Sequence, residues 1–281
     1  MEKSLRLITY LVPSHPVELY ECIAHFLEDE LKLKATLFYE SRDSIDLFET
    51  RSDPFTINEA DIGFFSPMQY VSLKRIRLIK HFELMPITPV FSHKKNNNEH
   101  SGYYADIIMH KDVQKTVNSF VDLRGNSWAY TSDSSLSSSI SIQKLLRTHG
   151  ENSSFFGNTI RTGNHLLSIK KVQDKQVTAA AVDSTAFYNY KNILHKDSDD
   201  ICILDSIGPL PPFAIVCNKN INSELKSKII NALLYETSKR TWGNQFKKFG
   251  LVKFTENSDY AYTELEYYDT THNQGLSSIY Y

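Results

Sequence analysis

Short apolar runs that end in proline or serine and give way to helical periodicity recur through most of this chain. A strand that repeatedly hands over to an amphipathic helix buries both its faces only in a layered α/β structure. Leu5 to Val12 is the first such run, and Pro13-Ser14-His15-Pro16 then opens a helix carrying Leu19, Tyr20, Ile23, Phe26, Leu27 and Leu31 on one face. Ala35 to Tyr39 and Ala60 to Phe65 predict two more strands, the second followed by a Ser66-Pro67 helix start, and Leu78 to Leu84 predicts a fourth. This alternation implies a largely parallel, twisted sheet.

Pro86 to Ser92 is apolar, proline-punctuated and extended. Lys94 to His100, with three consecutive asparagines, is a surface loop at which the chain is expected to cross to a second lobe. A second α/β series follows: strand Tyr103 to Met109, a short helix before Asp122, strand Ser127 to Tyr130, helix Ser135 to Thr148, a strand near Phe155 to Ile160, helix Gly163 to Gln173 and strand Thr178 to Val182. After a strand at Ile201 to Ile207, Gly208-Pro209-Leu210-Pro211-Pro212 reads as a stiff return crossing. Phe213 to Cys217 and a helix over Ser223 to Thr237 then complete the first lobe. The expected division is 1–89 with 206–255 as a discontinuous first lobe, 90–205 as the second, and 256–281 as a tyrosine-rich C-terminal tail that wraps the surface or is disordered.

With 31 basic and 33 acidic residues the net charge is -2, so no global field draws the chain to nucleic acid or to an anionic membrane. An anion site would have to be local. No apolar run approaches the roughly 20 residues that span a bilayer, and Met1 to Ile8 lacks the apolar stretch of a secretory signal. A cytosolic protein is expected on that reading, or an extracytoplasmic one if the chain is a processed form. Cys22, Cys202 and Cys217 are odd in number, widely spaced and set in apolar patterns, so they are expected as buried thiols and not as disulfides or zinc ligands. The single Asn152-Ser153-Ser154 sequon is too common a pattern to alter this. Neither a metal site nor a cofactor is expected, and no catalytic motif is visible.

Polar and small residues gather where predicted strands end. Ser134, Ser135 and Ser137 precede Ile140, Ile142, Leu145 and Leu146, which places them at the N-cap and first turn of a helix. Free main-chain N–H groups, hydroxyls and the helix dipole there suit a phosphate-like oxyanion, and a plain serine-rich cap is the structural alternative. His165, at another helix start, can donate to the same anion or serve as a capping or core histidine. Arg161, four residues earlier, could add a bidentate contact or lie in solvent. Asp183 ends an alanine-rich strand, where a buried carboxylate needs either a ligand or the N–H groups of the following helix. Tyr10, Ser66, Pro67 and Tyr70 stand at first-lobe strand ends or just beyond, with Ser66 also readable as an N-cap. Tyr103 and Tyr104 alternate across a strand, so one of the two is expected to face the site.

Asp122-Leu123-Arg124-Gly125, Trp128-Ala129-Tyr130, Ser135-Leu136-Ser137, Gly163-Asn164-His165, Ala180-Ala181-Val182-Asp183-Ser184 and Gly208-Pro209-Leu210-Pro211-Pro212 occur in the order and approximate spacing of one family. Over roughly Leu5 to Leu234 the chain resembles the phosphonate-binding proteins of ABC import systems. That resemblance implies an α/β, two-lobed type II periplasmic-binding-protein-like fold with two crossover hinge segments. It also implies a ligand anion at a serine-rich helix start, here Ser135, Leu136 and Ser137, joined by the histidine at position 165. By the same resemblance Tyr103 is the tyrosine lining the cleft, and Asp183 faces the substituent on the phosphonate. The chain departs from the family pattern in carrying Ser138 where glycine is usual and Thr162 and Asn164 where serines flank the histidine.

The function expected on this reading is a soluble solute-binding protein that closes two lobes on a small oxyanion such as a phosphonate or phosphate ester. It would act as a monomer, with a permease partner only if exported. One alternative is an enzyme on the same fold, similar to the thiamine pyrimidine-precursor synthases, although those carry a cysteine-rich iron-associated motif that Cys22, Cys202 and Cys217 do not form. Another is a ligand-sensing regulatory module.

Overall fold

The computed structural model describes residues 4–9, 14–39, 53–75, 80–194, 199–237 and 239–266. In chain order its strands and α-helices are β1 (Ser4–Thr9), α1 (Val17–Leu31), β2 (Lys34–Tyr39), β3 (Ile62–Phe65), α2 (Pro67–Arg75), β4 (Phe82–Leu84), β5 (Ile87–Phe91), β6 (Tyr103–His110), β7 (Ser127–Tyr130), α3 (Ser141–Thr148), β8 (Asn158–Arg161), α4 (His165–Gln173), β9 (Ala179–Asp183), α5 (Ser184–Asn189), β10 (Ile201–Leu210), β11 (Ala214–Asn218), α6 (Ser223–Asn231), α7 (Arg240–Lys247) and β12 (Leu251–Glu256). Two compact units result. Among the described residues, those up to Ser92, Glu99–Gly102 and 211–266 form the first, and His93–Asn98 with Tyr103–Leu210 form the second.

The first unit is built on a five-stranded sheet in the order β2-β1-β3-β11-β4. β1 runs parallel to β2 and β3, whereas β11 is antiparallel to both β3 and β4. The four strands that the alternation predicts, β1 to β4, all run the same way, and β11 alone runs against them. β11 is reached from the second unit and not through a βα crossover, so nothing in its connection imposes the parallel direction. α1 turns Leu19, Tyr20, Ile23, Phe26 and Leu27 inward, and Phe55, Phe65 and Phe82 form an aromatic cluster on the sheet. The segment Pro86 to Ser92 contains β5, which pairs antiparallel with β12 from Ile87↔Glu256 to Phe91↔Leu251. Pro89 is tolerated there because a two-stranded ribbon leaves one edge of each strand unpaired. Beyond β12, a short 3-10 turn at Asp259–Tyr262 docks on α2: Tyr70 Oη donates to Asp259 at 2.6 Å, and Tyr262 packs on the Tyr70 ring.

The second unit holds a five-stranded sheet in the order β10-β6-β9-β7-β8. β7 is parallel to β8 and β9, and β6 is antiparallel to β9 and β10. β9 shows why this sequence makes a doubly covered strand. Successive side chains point to opposite faces, so Ala179 and Ala181 join Trp128, Phe155 and Phe156 on one side while Ala180 and Val182 join Ile169, Val172 and Phe187 on the other. Small side chains let both layers approach the strand closely. The predicted short helix before Asp122 is realised as two 3-10 segments, Lys111–Lys115 and Phe120–Leu123. Cys217 is buried, but Cys22 and Cys202 are only half-buried, and all three are free thiols.

Candidate functional site

The antiparallel register Ala105↔Asp183 brings the beginning of β6 to the end of β9, on the same edge of the second unit's sheet as the ends of β7 and β8. Four of the expected site groups meet on that edge. Ser135 is the cap of a wide first turn, Leu136–Ile140, that runs on into α3. Its hydroxyl accepts from Ser138 N–H at 3.2 Å, and its carbonyl accepts from Ile140 N–H at 3.0 Å. The N–H groups of Leu136 and Ser137 have no acceptor among the described residues. That is the usual state of a helix start and the basis of its attraction for anions. Ser138, where glycine was expected, turns inward: its hydroxyl lies 2.7 Å from Thr131 Oγ1 and accepts from Thr131 N–H at 3.1 Å. The substitution thus pins the helix start to the end of β7.

Tyr103, the first residue of β6, is buried and hydrogen-bonded to Ser137. Burial, reinforced by the nearby Asp183 charge, holds its hydroxyl well above the ordinary phenol value against the opposing effect of Ser137. Tyr104 is buried too, stacked on His93 at 4.1 Å with its N–H donating to Ser184 Oγ.

His165 opens α4 after a left-handed turn at Gly163, φ 85°. Asn164 caps the helix by accepting from Leu167 N–H at 2.9 Å, while Thr162 ties the turn to Tyr130 O and Ser168 Oγ. The two residues that depart from the family pattern beside the histidine are therefore a cap and a brace. His165 itself is 4% exposed, accepts at Nδ1 from the main-chain N–H of Asp183 at 3.3 Å, and is pushed down to about 4 by burial. Asp183, 1% exposed, caps α5: its Oδ1 accepts from Thr185 N–H at 2.8 Å and Thr185 Oγ1 at 2.6 Å. Of the two alternatives the sequence left open for this carboxylate, the cap is present.

The remaining candidates lie elsewhere. Ser66, in the first unit, forms a reciprocal capping box with Gln69: its N–H donates to Gln69 Oε1 at 3.0 Å, and its hydroxyl accepts from Gln69 N–H at 3.3 Å. Tyr70 is turned to Asp259. Arg161 is exposed. Tyr10 lies outside the described residues. Sequence reasoning passed over Thr9, fully buried at the end of β1 with no hydrogen-bond partner for its hydroxyl among the described residues. A polar residue ending an apolar run was the available signal. Among the described residues no group of three or more His, Cys, Asp and Glu side chains is disposed to hold a metal ion.

Chemically, this edge offers neutral donors: two main-chain N–H groups, a serine–tyrosine hydroxyl pair and an imidazole. Such a set suits binding of an oxyanion, with the Ser137 hydroxyl joined to Tyr103.

Known structures share the fold. PhnD1 from Prochlorococcus marinus, solved in complex with methylphosphonate, superposes with a TM-score of 0.70 at 13% identity, covering 94% of this chain and 96% of its own. A binding protein component of an ABC phosphonate transporter from Pseudomonas aeruginosa gives a TM-score of 0.70 at 12% identity, covering 94% and 85%. A Xanthomonas citri protein bound to ATP gives 0.62 at 12%, covering 94% and 96%. At these identities the likeness is one of fold: two-domain, mixed α/β and periplasmic-binding-protein-like. No curated protein matches the chain. Residues 9–262 match the family described as "ABC transporter, phosphonate, periplasmic substrate-binding protein". That match overturns the cytosolic expectation, because the family is a periplasmic one and the composition of eight leading residues carries far less information about compartment. On this evidence the chain belongs to the phosphonate-binding family of ABC transporter periplasmic substrate-binding proteins.

Proposed function

We propose that the protein binds a small oxyanion, a phosphonate or phosphate ester, as the solute of an ABC importer, and acts as a monomer. The observation that carries this reading is the pair of unpartnered N–H groups on Leu136 and Ser137, set beside the Tyr103–Ser137 hydroxyl pair and the buried His165. Ser135 supports the turn, Tyr103 orients Ser137, and Asp183 borders the site. The enzyme alternative gains nothing from the thiols, since burial raises Cys22 to about 11 and Cys217 to about 12, far from a thiolate at neutral pH.

The test is calorimetry of the full chain against methylphosphonate, aminoalkylphosphonates, phosphate monoesters, phosphate and sulfate. A selective phosphonate or phosphate-ester hit that Ser137→Ala weakens by about tenfold, the value of one hydrogen bond to a charged group, supports the reading. Unchanged affinity in Ser137→Ala would place the ligand elsewhere. No heat with any of these anions would remove the function.

A further inference from the structure

A neutral imidazole donates from one nitrogen and accepts at the other, so what His165 offers a ligand depends on where its proton sits. The geometry decides this. The main-chain N–H of Asp183 donates to Nδ1, which must therefore present its lone pair and leave the proton on Nε2. That donor is fixed twice over. It belongs to the last residue of β9, paired with Ala105 of β6, and the same residue's carboxylate caps α5 through Thr185. Nε2 has no protein partner among the described residues. Burial also keeps the ring neutral down to about pH 4. The two buried ionisable neighbours on this edge, Tyr103 and His165, are shifted by burial, by Asp183 and by Ser137, with no contribution from a lysine or arginine.

We propose that His165 meets the oxyanion as a neutral Nε2–H donor, and that Asp183 acts through its main-chain N–H as the positioning residue that sets this tautomer. The inference rests on the function proposed above for the same site. A ring held in this way contributes one directed hydrogen bond and no net charge. Recognition by this unit is then a matter of where the ligand's oxygens lie.

Long-range proton–nitrogen correlation spectra of the uniformly labelled full chain at neutral pH test this, with the His165 signals assigned by their loss in His165→Gln. The expected spectrum has an unprotonated Nδ1 and a protonated Nε2, both without ligand and with methylphosphonate, and the ligand shifts Nε2 more than Nδ1. An imidazolium with both nitrogens protonated, or a bare Nε2, would overturn the proposal. The Gln side chain also carries a neutral N–H donor, so His165→Gln should bind methylphosphonate at least about tenfold more tightly than His165→Ala. Equal losses in the two variants would overturn the donor role. If no anion binds the native protein, the function proposed above falls, while the ligand-free spectrum still decides the tautomer.

Discussion

His93 Nε2 lies 3.0 Å from Oδ1 of Asp106, a carboxylate 1% exposed on β6 that also accepts from Ser206 Oγ on β10 at 2.6 Å. His93 is the first residue of the second unit, and its ring stacks on Tyr104, so the chain is fastened to this sheet as it enters. Removing the imidazole leaves a buried carboxylate short of a donor. His93→Ala should cost about 2–4 kcal/mol of unfolding free energy in urea. Asp106→Asn, which keeps hydrogen-bonding capacity, should cost less than half as much.

The buried His165 sets a pH dependence. Its folded value of about 4 lies below the ordinary 6.5, so the unfolded chain takes up the proton first as acid is added. Stability attributable to this residue is complete above pH 6.5 and is lost as pH falls from there toward 4. Across that window the loss is on the order of 3 kcal/mol. Denaturation midpoints of the native protein and His165→Gln should therefore converge as the pH is lowered; parallel curves would refute the assignment.

Tyr103 and Ser137 act as a pair. Tyr103→Phe and Ser137→Ala should each reduce stability, and a double-mutant cycle should return a coupling of about 1 kcal/mol. Full additivity would show that the two hydroxyls do not depend on each other.

Gly157 has no room for a side chain. A Cβ there would lie 2.2 Å from the carbonyl oxygen of Gly125, which is backbone and cannot swing aside. Gly157→Ala should destabilise the protein by about 2 kcal/mol or more, measured by thermal unfolding. Gly125, at φ 73° with open space around it, should lose only about 1 kcal/mol when changed to Ala.

The capping box of α2 should be worth about 1 kcal/mol in Ser66→Ala, with Ser66→Asp retaining most of it. Thermal unfolding of the two variants distinguishes a cap from a residue without local structural weight.

Periodicity made the βα units legible, together with the serine-rich start of α3 and the helix start at His165, because these features are local. Asp183 was legible as a choice between cap and ligand, and the position of Thr185 supplies the cap. Other features depend on partners far away in the chain. The pairing of β5 with β12 joins residues on either side of the second unit, and the antiparallel entry of β11 depends on where the chain has been in between. The wide turn at Leu136–Ile140 also left no sequence signature, since its i to i+5 bond from Ile140 to Ser135 uses main-chain atoms alone. Ser66 was legible as a capping residue, and Tyr10 lies outside the described residues.

β3 and β11 are hydrogen-bonded neighbours, yet all of Tyr103–Leu210 lies between them in sequence. A nascent chain leaves the ribosome N-terminus first. β1, β2 and β3 therefore emerge with one edge of β3 open, and Ala214–Asn218 fills that edge only after every strand of the second unit has been synthesised. The unit begun first is completed last. Until Ala214–Asn218 arrives, the bare edge of β3 is a template for wrong partners.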